Sequence, residues 1–495
     1  MRSSTSWIKQ LARRRRPCTS GRSPACPKEK RMVTALGRVQ SAQQVALARV
    51  ESARPEMSRL NRQIWEWAEP SLLETRSSAL LADYLEARGF RVTRGVADMP
   101  TAFVAEWGDG GPVVGILAEY DALPGLSQKT ETYKEPIREG GYGHGCGHSV
   151  YGVACVLGGL AARDALVESG LPGRVRVYGC PAEELLIGKV YMARAGLFDD
   201  LDAAISWHPS DKTRASLGSS KAMVSVRYEF AGVASHASVS PHEGRSALDA
   251  VELMNVAVNF MREHIKQDAR IHYVITDGGV QPNVVPPRAS VWYYIRANAH
   301  EDVEAYLAWV DEIAESAARM ARVQLVRRQM DTDCHELIPN RAMGEALDRA
   351  LRLAGPPGFD ESERRFAEEI QRSLPARPAG PPLNDEIAPF DETGSSGGST
   401  DIGDVSWIVP TEQFVAATHA VGSPGHSWQI TACTGTSIGE KGGIVAAKTM
   451  ACATLELIAD EDLRSRARAE FAERRGNRAY GLLIPSDQRP PIPMS

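Results

Sequence analysis

Between residues 141 and 149 the chain reads GYGHGCGHS, which sets two histidines and a cysteine among glycines that remove steric obstacles. In an extended segment residues two apart point the same way, so Cys146 and His148 could grip one metal ion together. Two ligands do not complete a site, and the rest must come from elsewhere in the chain. Glu183 and Glu184, in YGCPAEE, present adjacent carboxylates after an apolar stretch. Neighbouring side chains diverge, so one can hold a cation while the other takes a proton from a water that the cation activates. His208 in WHPS and His426 in SPGHSW each follow an apolar segment, and His419 competes with His426 on composition alone. Together Cys146, His148, Glu184, His208 and His426 would give two metals about three protein ligands each if the thiolate bridges, an arrangement that can clamp a tetrahedral intermediate. His144 reads as a hydrogen-bonded structural histidine.

A second group lies further on. AGVASHASVSPHEGRSA places His236 and His242 in loops, and QPNVVPPRASVWYYIRA supplies Asn283 and Arg296. Cationic and amide donors of this kind suit a substrate that carries a carboxylate.

The first group needs strands that end together. The Val113 to Leu117 run is short and apolar and delivers Glu119 and Asp121; RVRVYG delivers the glutamate pair; LDAAISWHP ends near His208. Helices are predicted between these strands over 150–168, with small residues on the packing face, and over 189–195. Such alternation predicts an α/β fold with a mostly parallel sheet, whose ligands bind outside the carboxyl ends of the strands. From 221 to 329 the order becomes β-α-β-β-α-β, that of an inserted ferredoxin-like unit. Further helices are predicted over 33–68, 77–88, 341–353 and 437–459. Residues 355–398, dense in proline and glycine, read as an excursion or mobile loop, and the tail from 470 as extended. The expected organisation is a basic N-terminal tail (1–40), a catalytic domain in two parts (41–218 and 334–469), an inserted lid (219–333) and a C-terminal tail (470–495).

Composition narrows the class. A chain of 495 residues with 43% hydrophobic content fits a globular protein of two domains, and no apolar run is expected to approach the ~20 residues of a membrane span. Eight scattered cysteines form no disulfide framework, which suits a reducing, cytoplasmic setting. The net charge of −5 gives no reason to expect nucleic acid. That charge is uneven: residues 1–31 hold ten Lys or Arg against Glu29, or +9, which leaves −14 for the remainder. The segment reads as a disordered tail or an upstream start ahead of Met32, with a transit peptide as the alternative.

On the blocks AEYDALPGLSQ, GHGCGH, YGCPAEE, WHP, SPHEGRSALDAV, PNVV, STDIGDVSW and GHSWQ, in that order over roughly residues 50–460, the chain resembles the M20 metallopeptidase family in its amidohydrolase branch. The resemblance implies a zinc-peptidase-like catalytic domain and a dimerisation lid. It implies two divalent ions, Mn or Zn, bridged by Cys146 and held further by His148, Glu184, His208 and His426, with Glu183 as general base. His236, Asn283 and Arg296 would contact the scissile carbonyl or the substrate carboxylate, His236 across a dimer. The implied partners are a small carboxylate-bearing substrate and a second copy of the chain, in a homodimer or higher homo-oligomer, or a related subunit, with neither nucleic acid nor membrane. The implied reaction is amide hydrolysis of an N-acyl or N-aroyl amino acid. Its rivals are hydrolytic deamination of a carboxylated aromatic amine on the same site and a non-catalytic binding subunit. Three departures stand out: Ser149 after CGH, where the branch has Asn or Asp; Leu185, Leu186 and Ile187 where relatives are glycine-rich, expected to give the pocket a bulkier wall; and Glu119 where many M20 peptidases carry a metal-binding histidine.

Overall fold

A computed structural model describes residues 27–392 and 397–493, so the part of the basic segment before Pro27 lies outside the described residues. The described residues open with helices α1 (Pro27–Ser52), α2 (Arg54–Trp67) and α3 (Thr75–Glu86), then strands β1 (Arg91–Arg94), β2 (Phe103–Trp107) and β3 (Val113–Ala118). There follow α4 (His148–Ser169), β4 (Arg174–Gly179), α5 (Gly188–Arg194), β5 (Ala203–Ser210) and the short β6 (Arg214–Ala215). A second unit interrupts: β7 (Ala222–Ala231), α6 (Ala247–Met261), β8 (Arg270–Asp277), β9 (Arg288–Ala297), α7 (His300–Ala321) and β10 (Gln324–Cys334). The remainder holds α8 (Arg341–Ala354), α9 (Glu361–Gln371), α10 (Ile402–Ser406), β11 (Thr411–Ala417), α11 (Trp428–Thr434), α12 (Ser437–Ala459) and α13 (Glu461–Arg475).

Among the described residues seven strands form one sheet in the order β1-β2-β4-β3-β5-β11-β6. Its centre, β4-β3-β5-β11, is parallel, whereas β1, β2 and β6 pair antiparallel at the edges, so the sheet is more mixed than the alternation of elements predicts. The four parallel strands are the ones that carry chemistry at their carboxyl ends. The inserted strands form a separate antiparallel sheet, β10-β7-β9-β8, with α6 and α7 packed on it, as expected for a ferredoxin-like unit.

Among the described residues two helices are apolar enough to be mistaken for membrane spans. By length and hydropathy α4 and α12 could each cross a bilayer, contrary to the reading of the sequence, yet 83% of each apolar window is buried inside the protein. They pack against each other through small residues: a side chain on Gly158 would come within 3.0 Å of the Ala447 carbonyl.

Two boundaries differ from expectation. Residues 355–398 are not all loop, because α9 starts on a capping box in which Asp360 accepts from the Glu363 amide and Glu363 accepts from that of Asp360. The helix before the C-terminal tail also runs on to Arg475, with Asp460 as its N-cap.

Candidate metal centre

Each element of the parallel sheet delivers one part of the site. Glu119 and Asp121 follow β3, Glu183 and Glu184 follow β4, His208 lies near the end of β5, and His426 is in the loop after β11. Cys146 and His148 are not held in an extended segment, as the spacing predicts. His148 is the first residue of α4, and Gly147 turns the chain into the helix with φ +81°. The glycines are required by close approach. A side chain at Gly143 would collide with the Leu126 carbonyl, and one at Gly147 would come within 2.9 Å of Pro209 in a conformation that strains any other residue. Gly147→Ala is expected to destabilise the protein by about 1–3 kcal/mol, measurable as a lower urea midpoint at an unchanged m-value.

Within this frame Cys146 Sγ lies 3.3 Å from His208 Nε2, and His426 Nε2 lies 3.3 Å from Glu184 Oε2. Among the described residues three sets bring their ligand atoms within 4.8 Å of one another: Cys146, His148 and His208; Cys146, Glu184 and His426; and Glu119, His148 and Glu183. Cys146 belongs to the first two sets. His148 Nδ1 is 2.9 Å from Asp121 Oδ1, which fixes the ring and turns Nε2 towards the carboxylates, 3.5 Å from Glu119 Oε2 and 3.9 Å from Glu183 Oε2. The other Asp121 oxygen accepts from the Glu184 amide at 2.9 Å and the Ser71 hydroxyl at 2.8 Å, so Asp121 ties the ligand helix to the glutamate turn.

The site also carries backbone strain. The turn Glu183–Leu185 is flanked by Ala182 at φ 56° and Leu186 at φ 55°, and His426 sits at φ 53°. These left-handed conformations cost non-glycine residues energy and persist because the surroundings hold them. At Ala182 the amide donates to buried Glu74 at 2.8 Å. A glycine would take the Leu186 backbone without strain, but Leu186 and Ile187 are buried in the core beneath the inserted unit, so only half-buried Leu185 could face a pocket as the sequence led us to expect. Ser149 is wholly buried and its hydroxyl has no hydrogen-bond partner.

The electrostatics point to missing positive charge. Glu119 and Asp401 pair with buried Lys189, the charge of Glu183 also bears on it, and Asp121 and Glu184 add two more carboxylates to the cluster. Burial, and next the Glu119 charge, push Glu183 well above the usual carboxylate range, and burial lifts Glu184 to about 7. Burial lowers His208 to about 4, with His148 adding to it, and lowers His426 too, so both imidazoles are neutral and able to bind metal. Glu119 Oε2, His148 Nε2 and Glu184 Oε1 are buried without hydrogen-bond partners. Such atoms are costly unless something fills the gap between them, and a pair of divalent cations fits both the orphaned atoms and the excess of carboxylates.

Other residues fall outside the cluster. His144 Nε2 donates to the Ile64 carbonyl at 3.1 Å, the structural role read from the sequence. His419 is buried beside the Thr418 hydroxyl, 3.1 Å away, and among the described residues it joins none of the three sets. Arg296, on β9, reaches Ser399 Oγ at 3.3 Å, its Nε has no partner, and its charge bears on His426. His236 and Asn283 are exposed on neighbouring segments of the inserted unit, where the Ala237 amide donates to the Asn283 carbonyl at 2.9 Å. Within one chain no described contact joins them to the cluster. Lys189 and Asp401 escaped the sequence reading altogether, since a lysine opening a short helix reads as a solvated charge.

A mixed α/β sheet that gathers carboxylates, imidazoles and a thiol at its carboxyl edge, interrupted by an antiparallel unit, suits a metallohydrolase. Residues 219–321 match the peptidase dimerisation domain of M20 proteins. The chain is 39% identical to a subunit of the p-aminobenzoyl-glutamate hydrolase of Escherichia coli, over 89% of this chain and 97% of that protein. It is 30% identical to the Xaa-Arg dipeptidase of Mus musculus, over 86% and 91% respectively. A dinuclear metal-binding M20 peptidase from Bacillus subtilis has the same fold, with TM-score 0.55 at 17% identity over 82% of this chain and 99% of that one. The chain belongs to the M20 peptidase family, and it is a metal-dependent hydrolase of carbon–nitrogen bonds that carries a dimerisation domain.

Proposed function

We propose that the chain hydrolyses the amide bond of an N-acyl or N-aroyl amino acid resembling p-aminobenzoyl-glutamate. The observation that carries this reading is the sharing of Cys146 between two three-residue ligand sets, with the Glu183 carboxylate 3.9 Å from His148 Nε2. Cys146, His148, Glu184, His208 and His426 would hold two divalent ions, which when bound polarise a carbonyl and acidify a water. Thiolate ligation favours Zn, while the carboxylate and imidazoles also accept Mn. Glu183 takes a proton from the attacking water and returns it to the leaving amine nitrogen, a task suited to a carboxylate whose proton affinity burial has raised. Asp121 keeps His148 and the glutamate turn in register throughout.

The inserted unit recognises the substrate. Arg296, whose charge bears on His426 and whose Nε has no partner, would pair with the substrate carboxylate. His236 and Asn283 would serve the site of a second chain. Two features support self-association: β8 is an edge strand, and the exposed apolar side chains of Leu253, Val256 and Phe260 on α6 and Val274 and Ile275 on β8 lie in the same unit. A homodimer is the proposed assembly, although the Escherichia coli relative is named as one subunit of its hydrolase, which also allows a related second chain. The free Cys146 thiol in the site supports a reducing, cytoplasmic location.

The test is a panel of N-acyl and N-aroyl amino acids with and without the amino-acid carboxylate, assayed on metal-loaded protein. Arg296→Ala is expected to raise KM for the carboxylated members by roughly 10–100-fold, the size of a lost charge-assisted hydrogen bond of about 1.5–3 kcal/mol, and to leave the carboxamide analogues unaffected. Equal losses on both kinds of substrate would remove Arg296 from the carboxylate role.

A further inference from the structure

Lys189 is fully buried, a placement in which lysine is found only when paired. Its Nζ lies 2.7 Å from Glu119 Oε1 and 2.5 Å from Asp401 Oδ1, and its own amide donates to Asp401 Oδ2 at 2.8 Å. Asp401 comes from the segment after the inserted unit, so the lysine joins the two halves of the catalytic domain directly behind the ligands. The Glu119 carboxylate is used unevenly. Oε1 takes the ammonium and also the Tyr151 hydroxyl at 3.2 Å, whereas Oε2, equally buried, has no hydrogen-bond partner and lies 3.5 Å from His148 Nε2, which has none either. If Lys189 and Glu119 served only to neutralise each other, nothing would leave one oxygen orphaned against an orphaned imidazole nitrogen.

We propose that Lys189 is a positioning residue of the metal centre: it clamps one oxygen of Glu119 and so presents the other as an additional ligand atom for the ion held by His148. The assignment rests on the two-metal reading above and extends it by one ligand and the group that orients it. Outer-shell partners that fix a ligand typically govern metal affinity by 10–100-fold, and that is the scale expected here. Pairing with Lys189 keeps Glu119 from reaching away towards other donors, and the Asp401 contact keeps the ammonium from following it.

Metal-free protein is titrated with manganese(II) by calorimetry, comparing wild type, Lys189→Met, Glu119→Gln and the double variant, each checked for folding by its metal-free melting curve. Wild type is expected to bind two equivalents. Each single variant is expected to weaken one equivalent about 10–100-fold and leave the other unchanged, with the double variant no weaker than Glu119→Gln because the two residues act as one unit. Should Lys189→Met fail to fold, Glu119→Gln, which keeps the Lys189–Asp401 pair, still decides. Wild-type affinity for both equivalents in folded Glu119→Gln, or a lowered melting temperature in Lys189→Met without any change in manganese affinity, would overturn the proposal while leaving the two-metal reading intact. A wild-type protein that binds no manganese would overturn both.

Discussion

Glu183→Gln is expected to lower kcat by roughly 10²–10⁴-fold, the contribution of a positioned general acid–base, with little change in KM. The substitution is close to isosteric, and Glu183 makes no hydrogen bond through its side chain to any described residue, so the turn between Ala182 and Leu186 should survive. Its nearest charged neighbours are His148, with Nε2 at 3.9 Å, and Glu119, whose field adds to burial in raising the proton affinity of the acid. An amide can fill that space but cannot carry a proton from water to a leaving nitrogen. A selective fall in kcat at unchanged metal content identifies a group used in the transition state rather than in binding. Loss of metal together with activity would instead make Glu183 a ligand, as its place in the third set with Glu119 and His148 allows.

Cys146→Ala should be the most damaging change among the ligands. Cys146 alone belongs to both sets that share no other member, one completed by His148 and His208 and the other by Glu184 and His426. Its removal is expected to weaken both metal equivalents by more than the roughly 10–100-fold that an outer-shell change costs, and to abolish measurable turnover. His426→Ala touches only the second set and should weaken one equivalent. His426 is the more dispensable on structural grounds too, being mostly exposed and held in a strained left-handed conformation. Metal analysis and calorimetry on the two variants separate the cases: if Cys146→Ala retains one ion at wild-type affinity, the thiolate does not bridge.

Much of the candidate site was legible because its parts follow strands. A short apolar run followed by polar residues marks the carboxyl end of a parallel strand, and three such runs deliver Glu119 and Asp121, the glutamate pair, and His208. The local geometry was less legible. Cys146 and His148 look like alternate positions of an extended segment, but Gly147 can adopt a left-handed conformation, and the chain uses it to start α4 on His148 itself. The buried pair of Lys189 and Asp401 was invisible for a different reason. The two residues are 212 positions apart, and nothing in the sequence around a lysine shows that a distant carboxylate will meet it. Helix α9 was hidden by the prolines and glycines around it, although its capping box at Asp360 and Glu363 was there to be read. Conversely α4 and α12 are apolar on nearly every face because each is buried, and periodicity alone does not separate such helices from membrane spans.

The most direct test of the central claim is mass spectrometry of the products formed from p-aminobenzoyl-glutamate by metal-loaded protein in ¹⁸O-labelled water. Hydrolysis at the amide carbonyl yields p-aminobenzoate and glutamate in equal amounts, with one ¹⁸O in the new carboxylate of p-aminobenzoate and none acquired by glutamate. Release of ammonia with the amide bond intact would contradict the account and assign the site to deamination.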